Sequence, residues 1–354
     1  MAKVFIIDNY SHGIKYDRRW EYFQEDVRRW GYEVKMVEGI RDKRINLYPI
    51  LNNAVVSENL GHLLFRNEIQ DGDIILFPNA RDQLASYLHE YRLETNLKIH
   101  LIGFWHDGVY NINGELRNKI LGGSRISKLK WNTALESMLI NSYDYNLISS
   151  TSNYNRFFST YGIKNRENIF QVKTPFSRTT EMIESFIKDE GHVKDELIVM
   201  NSRKNSPQDE QIFKYIQSDF PQYTFLKFDD WEFTETEYYR LLSKAKILIL
   251  TNRADANPYN VYEAMVLGCI PIIPDIPIYE NVFNDRWKYD ELLITPPGLN
   301  FLRNKENLYE KIRSSDEYLL YLKDDVEELE RNHYNSSDFE TLFNNIKIEN
   351  ESSN

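Results

Sequence analysis

Two carboxylates, Asp255 and Glu263, stand eight residues apart in the stretch DANPYNVYEAMVLGCIPIIPD. Asn257 suits an N-cap and Pro258 a first helical position. The spacing therefore puts Asp255 just before a helix and Glu263 about two turns inside it. An ionised carboxylate only accepts hydrogen bonds, so a pair held this way can take up the hydroxyls of a sugar or a ribose. The helix N-terminus, with its positive dipole and open N–H groups, suits a phosphate. Tyr262, Met265 and Val266 fall on one helical face. Gly268 is placed to end the helix in a left-handed conformation. Ile270, Ile272 and Ile273 then form an apolar run broken by prolines, as expected at the rim of a parallel sheet. A carboxylate at a helix start is often only a cap. Glu263 differs, because it lies inside the apolar run YEAMVLG.

Three other groups of polar residues follow predicted strands. Phe104-Trp105-His106-Asp107-Gly108 closes one strand, and Asn201-Ser202-Arg203-Lys204 follows another. Asn9 to Lys15, with Ser11, His12 and Gly13, follows the first. Arginine offers bidentate contact to a phosphate and lysine a point charge. Asp229-Asp230-Trp231 reads as a loop, and no metal site is expected from it.

Strands are predicted at 3–8, 32–37, 73–77, 100–105, 145–149 and 168–172. A second series covers 196–201, 224–228 and 247–251, with a further strand from Ile270. Helices are predicted at 17–30, 83–94, 131–141, 153–161, 209–218 and 235–243, and the tail 314–346 reads as two acidic amphipathic helices. The residues ENESSN at the end are expected to fray. Strands alternating with helices imply parallel sheets. The expected class is α/β, with two Rossmann-like domains facing a cleft and helices at the C-terminus. The expected boundaries are 1–173 for the first domain, 174–195 for a hinge, 196–325 for the second domain and 326–354 for C-terminal helices and tail. Ligands of open α/β sheets bind at the carboxyl ends of the strands, where all these residue groups fall.

The 354 residues suffice for two such domains. A net charge of −11 argues against a generic nucleic-acid binder while leaving room for a local basic strip, such as Arg117, Lys119, Arg125, Lys128 and Lys130. The single cysteine, Cys269, excludes an intrachain disulfide and a cysteine-based zinc site, and its apolar setting predicts a buried thiol. The N-terminus MAKVFIIDNY lacks the length and apolarity of a signal peptide, and no apolar run reaches membrane-spanning length. A cytoplasmic protein is expected, in the host cytoplasm if it is viral, with no membrane partner.

The stretch from Asp255 to Asp275 resembles the donor-site signature of GT-B glycosyltransferases, family 4 in particular. There a Glu-x7-Glu pair flanks a turn and opens a helix reading roughly EAMACGTPVI. DYNLISSTSNYNRFFSTYGI and IFQVKTPF resemble the same family's end of domain one and entry to the hinge. The resemblance implies a nucleotide-sugar donor, a UDP-sugar by preference, and no essential cofactor or metal. Glu263 matches the carboxylate on the nucleotide ribose, and Asp255 the one on sugar hydroxyls, one methylene shorter than the family's glutamate. Asn257, Tyr259 and Asn260 replace the usual glycine-containing turn and offer backbone amides to the sugar or distal phosphate. Arg203, with Lys204 as the alternative, matches the basic group on the leaving diphosphate. His106, beside Asp107, matches a histidine touching the transferred sugar, and His12 and Gly13 lie on the acceptor side. Family 4 enzymes retain anomeric configuration. NSRKNSPQDEQIFKYI together with VYEAMVLGCIPIIPD is also similar to bacteriophage DNA glucosyltransferases, so hydroxymethylated cytosine in DNA and a saccharide are both candidate acceptors. A nucleotide-sugar 2-epimerase, or a non-catalytic binding protein of the same fold, are the alternatives.

Overall fold

A computed structural model of the protein describes residues 2–8, 14–39, 49–105, 123–149, 151–163, 167–190, 194–201, 207–228, 234–251, 259–276, 279–290 and 299–352. The chain forms two compact units. Met1–Arg178 and Tyr334–Asn354 make the first, and Thr179–His333 the second.

In the first unit, strands β1 (Lys3–Ile7), β2 (Glu33–Val37), β3 (Ile74–Phe77), β4 (His100–Trp105), β5 (Tyr145–Ser149) and β6 (Ile169–Val172) form a parallel sheet in the order β2-β1-β3-β4-β5-β6. Side chains alternate between the two faces of a strand. Val4, Ile6, Leu76, Ile102 and Phe104 meet Trp20, Phe23 and Val27 of helix α1 (Ile14–Arg29). Phe5, Ile7, Phe77, Leu101 and Trp105 meet four helices on the opposite face. These are α2 (Pro49–Phe65), α3 (Leu84–Thr95), α4 (Gly123–Ile140) and α5 (Thr151–Tyr161). Burial on both faces explains why β1, β3 and β4 read as continuous apolar runs.

The second unit has β7 (Asp195–Asn201), β8 (Thr224–Phe228), β9 (Ala245–Leu250), β10 (Ile270–Pro274) and β11 (Lys288–Tyr289), in the order β11-β10-β9-β7-β8. This sheet is also parallel. Helix α6 (Ser177–Glu190) leads into it. Helices α7 (Pro207–Asp219), α8 (Glu235–Lys244), α9 (Tyr259–Val266), α10 (Leu299–Arg313) and α11 (Ser315–Asn332) accompany it. Strand β10 is wholly buried and lies one place from the edge. Of its prolines, Pro271 lies opposite Leu248 of β9 and outside the β11 register, and Pro274 is the last residue of the strand.

Three details differ from the sequence expectation. The segment over 174–195, expected as a hinge with a short helix, holds the 14-residue α6, and β7 starts one residue earlier than expected, at Asp195. The expected C-terminal tail is divided, since α11 belongs to the second unit and α12 (Ser337–Ser352) to the first. Amphipathicity announces a buried face but does not say which sheet receives it. Of the residues expected to fray, Glu349 to Ser352 belong to α12. Phe339, Phe343 and Ile346 of α12 lie in the core beside α1, and Tyr32 Oη donates to the Phe343 carbonyl at 2.5 Å. Asn350 Nδ2 donates to the Gly72 carbonyl at 3.0 Å, and its Oδ1 lies 3.1 Å from His100 Nε2. These contacts hold the last turns in place.

Candidate functional site

Strands β7 and β9 are neighbours, with Asn201 paired to Leu250 at their carboxyl ends. Thr251 N–H donates to the Asn201 carbonyl at 3.3 Å, and Tyr289 Oη to the Leu250 carbonyl at 2.8 Å. The segments carrying Arg203 and Asp255 therefore leave from adjacent, anchored strand ends. Arg203, Lys204, Asp255 and Asn257 themselves lie outside the described residues, as does the Asp229-Asp230-Trp231 stretch.

Helix α9 follows β9. Tyr259, Val261, Tyr262, Glu263, Ala264 and Met265 are all buried, so the helix is enclosed almost all round rather than on one face. It packs against α11 on one side and β9 and β10 on another. Tyr259 is buried, and Asn260 half-buried with its Oδ1 accepting from Val261 N–H at 3.0 Å. Tyr262 Oη and Thr180 Oγ1 are 3.1 Å apart, and burial pushes the Tyr262 hydroxyl well above its ordinary range.

The helix ends as the sequence predicts. Gly268 has φ of +77°, and its N–H donates to the Met265 carbonyl while Cys269 N–H donates to Ala264. Lys194 Nζ then donates to the Leu267 carbonyl at 2.8 Å and to the Leu242 carbonyl at 3.2 Å. One ammonium thus serves the carboxyl ends of both α8 and α9, where a cation is favoured by the helix dipole. Burial lowers the Lys194 pKa, and a Cβ on residue 268 would stand 3.4 Å from Lys194 Cε. Cys269 is fully buried, as expected, and burial pushes its thiol up to about 12, so it is held protonated and inert.

Glu263 lies in the second turn of α9 and is only 9% exposed. Tyr238 Oη donates to its Oε2 at 2.9 Å and Tyr239 Oη to its Oε1 at 3.3 Å. Both tyrosines sit at the start of α8, whose entry is set by a capping box. Thr234 Oγ1 accepts from Glu237 N–H, and the Glu237 carboxylate accepts from Thr234 N–H. Tyr239 is buried against Phe186 at 6.4 Å between ring centroids. The sequence reading passed over Tyr238 and Tyr239. The signal available was Thr234-x-x-Glu237, which fixes where α8 begins and hence where the next two side chains point.

In the first unit, β4 ends at Trp105, immediately before His106 and Asp107. Trp105 Nε1 donates to Asn146 Oδ1 at 2.8 Å, and Asn146 Nδ2 to the Ile140 carbonyl at 3.0 Å. Ala80 N–H donates to the Phe104 carbonyl at 3.1 Å. The strand end ahead of His106 is thus tied directly to two other segments, at Asn146 and Ala80. His12, Gly13, His106 and Asp107 lie outside the described residues. Of the basic strip, Arg117 and Lys119 also lie outside them, while Arg125, Lys128 and Lys130 fall within α4 rather than in a loop before it. Among the described residues, no group of three or more His, Cys, Asp or Glu side chains could hold a metal ion, and no helix is long and apolar enough to cross a membrane.

No family model matches the chain, and no curated protein sequence does. Solved structures do. Sucrose-phosphate synthase from Thermosynechococcus elongatus is similar over 100% of both chains, with a TM-score of 0.60 at 9% identity. The catalytic domain of starch synthase IV from Arabidopsis thaliana, bound to ADP and acarbose, covers 99% of each chain with a TM-score of 0.56 at 9% identity. Anabaena HepE in complex with UDP-glucose covers 100% of both with a TM-score of 0.55 at 11% identity. Two parallel sheets with flanking helices and C-terminal helices give this chain the α/β, GT-B-like fold of those proteins.

Proposed function

We propose that the protein is a glycosyltransferase that moves a sugar from a nucleotide-sugar donor to an acceptor hydroxyl. The observation that carries this reading is Glu263, a carboxylate 9% exposed within a largely buried helix that follows a parallel strand, with two tyrosine hydroxyls on its oxygens. Such a group is suited to accept the hydroxyls of a ribose. The fold shared with HepE, whose structure holds UDP-glucose, and with starch synthase IV, whose structure holds ADP, supports a nucleotide-sugar donor.

On this reading the second unit binds the donor. Glu263 takes the ribose, and backbone amides near Asn257, Tyr259 and Asn260 take the sugar or the distal phosphate. Arg203, or Lys204 in its place, faces the diphosphate. Asp255 and His106 hold the transferred sugar, with Asp107, His12 and Gly13 on the acceptor side. The bond between anomeric carbon and phosphate oxygen breaks as the acceptor oxygen bonds on the same face. The departing phosphate takes the acceptor proton, so configuration is retained. Stabilising the charge on that leaving group is the main contribution to rate.

The test is turnover of a panel of nucleotide sugars by wild type and Glu263→Ala, alone, with saccharide acceptors, and with DNA containing hydroxymethylcytosine. Glu263-dependent cleavage stimulated by one acceptor class identifies that class. Conversion of the donor sugar with no acceptor present identifies an epimerase instead. Absence of nucleotide-sugar binding and cleavage overturns the reading.

A further inference from the structure

Glu263 is approached from α8 by two consecutive side chains. Neighbouring residues on a helix diverge by about 100° and do not face each other. Tyr238 and Tyr239 nevertheless reach the same carboxylate, one hydroxyl on each oxygen, at 2.9 Å and 3.3 Å. Their rings lie 5.2 Å apart and are tilted by 53°. Tyr239 is packed against Phe186, and the capping box at Thr234 sets the start of the helix, so neither hydroxyl is on a loose arm. A glutamate carboxylate has three side-chain torsions ahead of it, the last of them broad. Donors on both oxygens remove that freedom and fix the plane of the group.

We propose that Tyr238 and Tyr239 are positioning residues for the donor ribose. They hold the Glu263 carboxylate in one orientation and so set how strongly the site prefers a ribonucleotide over one without ribose hydroxyls. The inference rests on the reading of Glu263 as the ribose-binding group. Tyr238 carries the larger share, because its hydrogen bond is near the ordinary hydroxyl–oxygen distance and that of Tyr239 is beyond it.

The experiment is calorimetric titration of the full chain with UDP, ADP, GDP and CDP, and with the 2′,3′-dideoxy form of whichever binds tightest. The proteins are wild type, Tyr238→Phe, Tyr239→Phe, the double variant and Glu263→Gln. Wild type is expected to favour the ribonucleotide. Tyr238→Phe should lower that preference about tenfold and Tyr239→Phe about threefold, with the dideoxy affinity unchanged. A role in packing alone would weaken both ligands equally, and that result overturns the proposal. If the double variant keeps the preference while Glu263→Gln abolishes it, the positioning role fails and the ribose-binding role of Glu263 stands. If wild type binds none of the four, or shows no preference, the ribose reading fails and the proposal with it. Tyr238 is half-buried, so Tyr238→Phe alone decides the matter should the double variant not fold.

Discussion

Each unit buries a glutamate on a helix beside its sheet, and the two are held differently. Glu136, on α4, is 1% exposed, with Arg81 Nε 2.9 Å from its Oε1 and the Tyr161 hydroxyl donating to its Oε2. Glu263, on α9, is 9% exposed and is held by the hydroxyls of Tyr238 and Tyr239. A guanidinium cancels a buried charge, so its pair is a piece of architecture. Hydroxyls orient a carboxylate without cancelling it, which suits a group that must still receive a ligand. On the proposed function, the same residue type at similar depth takes two roles, and its partners decide which.

The sharpest way to break this comparison is to neutralise each acid or its partner. Glu263→Gln should cut nucleotide-sugar turnover by more than about a hundredfold while shifting stability by under about 1 kcal/mol. Turnover assays alongside thermal melting check both, and a large loss of melting temperature would make Glu263 architectural too. Arg81→Met should do the reverse, costing about 2 kcal/mol in urea unfolding with donor binding unchanged. That figure is below the range for fully buried pairs because the Arg81 side chain is 36% exposed.

Gly103→Ala is expected to cost about 1.5 kcal/mol, since overpacking a filled site displaces its neighbours. A Cβ there would lie 2.8 Å from the Tyr143 ring, whose hydroxyl donates to the carbonyl of Ala80, beside Arg81. If that ring steadies the Arg81 loop, the costs of Gly103→Ala and Arg81→Met will not add in a double-mutant cycle.

The smallest effect concerns α12. Tyr32→Phe should cost about 1 kcal/mol at neutral pH by removing the hydrogen bond to Phe343. The Tyr32 and Tyr145 hydroxyls are both pushed up from 10.0 to about 12, chiefly by burial, with Glu351 beside the first and Glu349 beside the second. An acid whose pKa is higher folded than unfolded stabilises fully below the unfolded value and loses that contribution as pH rises through the folded one. Docking of α12 should therefore weaken between about pH 10 and 12. Base titration followed by near-ultraviolet circular dichroism should show a shallower decline for Tyr32→Phe than for wild type.

Much of this molecule is legible before folding. Inner strands announce themselves because both faces of the sheet are covered there, so apolar residues run on without a break, as in Ile74–Phe77 and residues 247–250. Gly268 is legible because a left-handed helix end favours glycine, and Cys269 because a thiol within an apolar run is buried. Local rules suffice for such features, since their causes lie within a few residues. The pairing of Tyr238 and Tyr239 with Glu263 spans about 25 residues of chain, that of Arg81 with Glu136 spans 55, and the docking of Phe343 on Tyr32 spans 311. Gly103 is required by the ring of Tyr143, which no rule of glycine placement reveals. Sequence alone determined that a carboxylate would sit within an apolar helical run after a parallel strand. Only the tertiary structure decided that the hydroxyls of Tyr238 and Tyr239 would meet it there, because distance and orientation become properties of a site once separate segments are packed side by side.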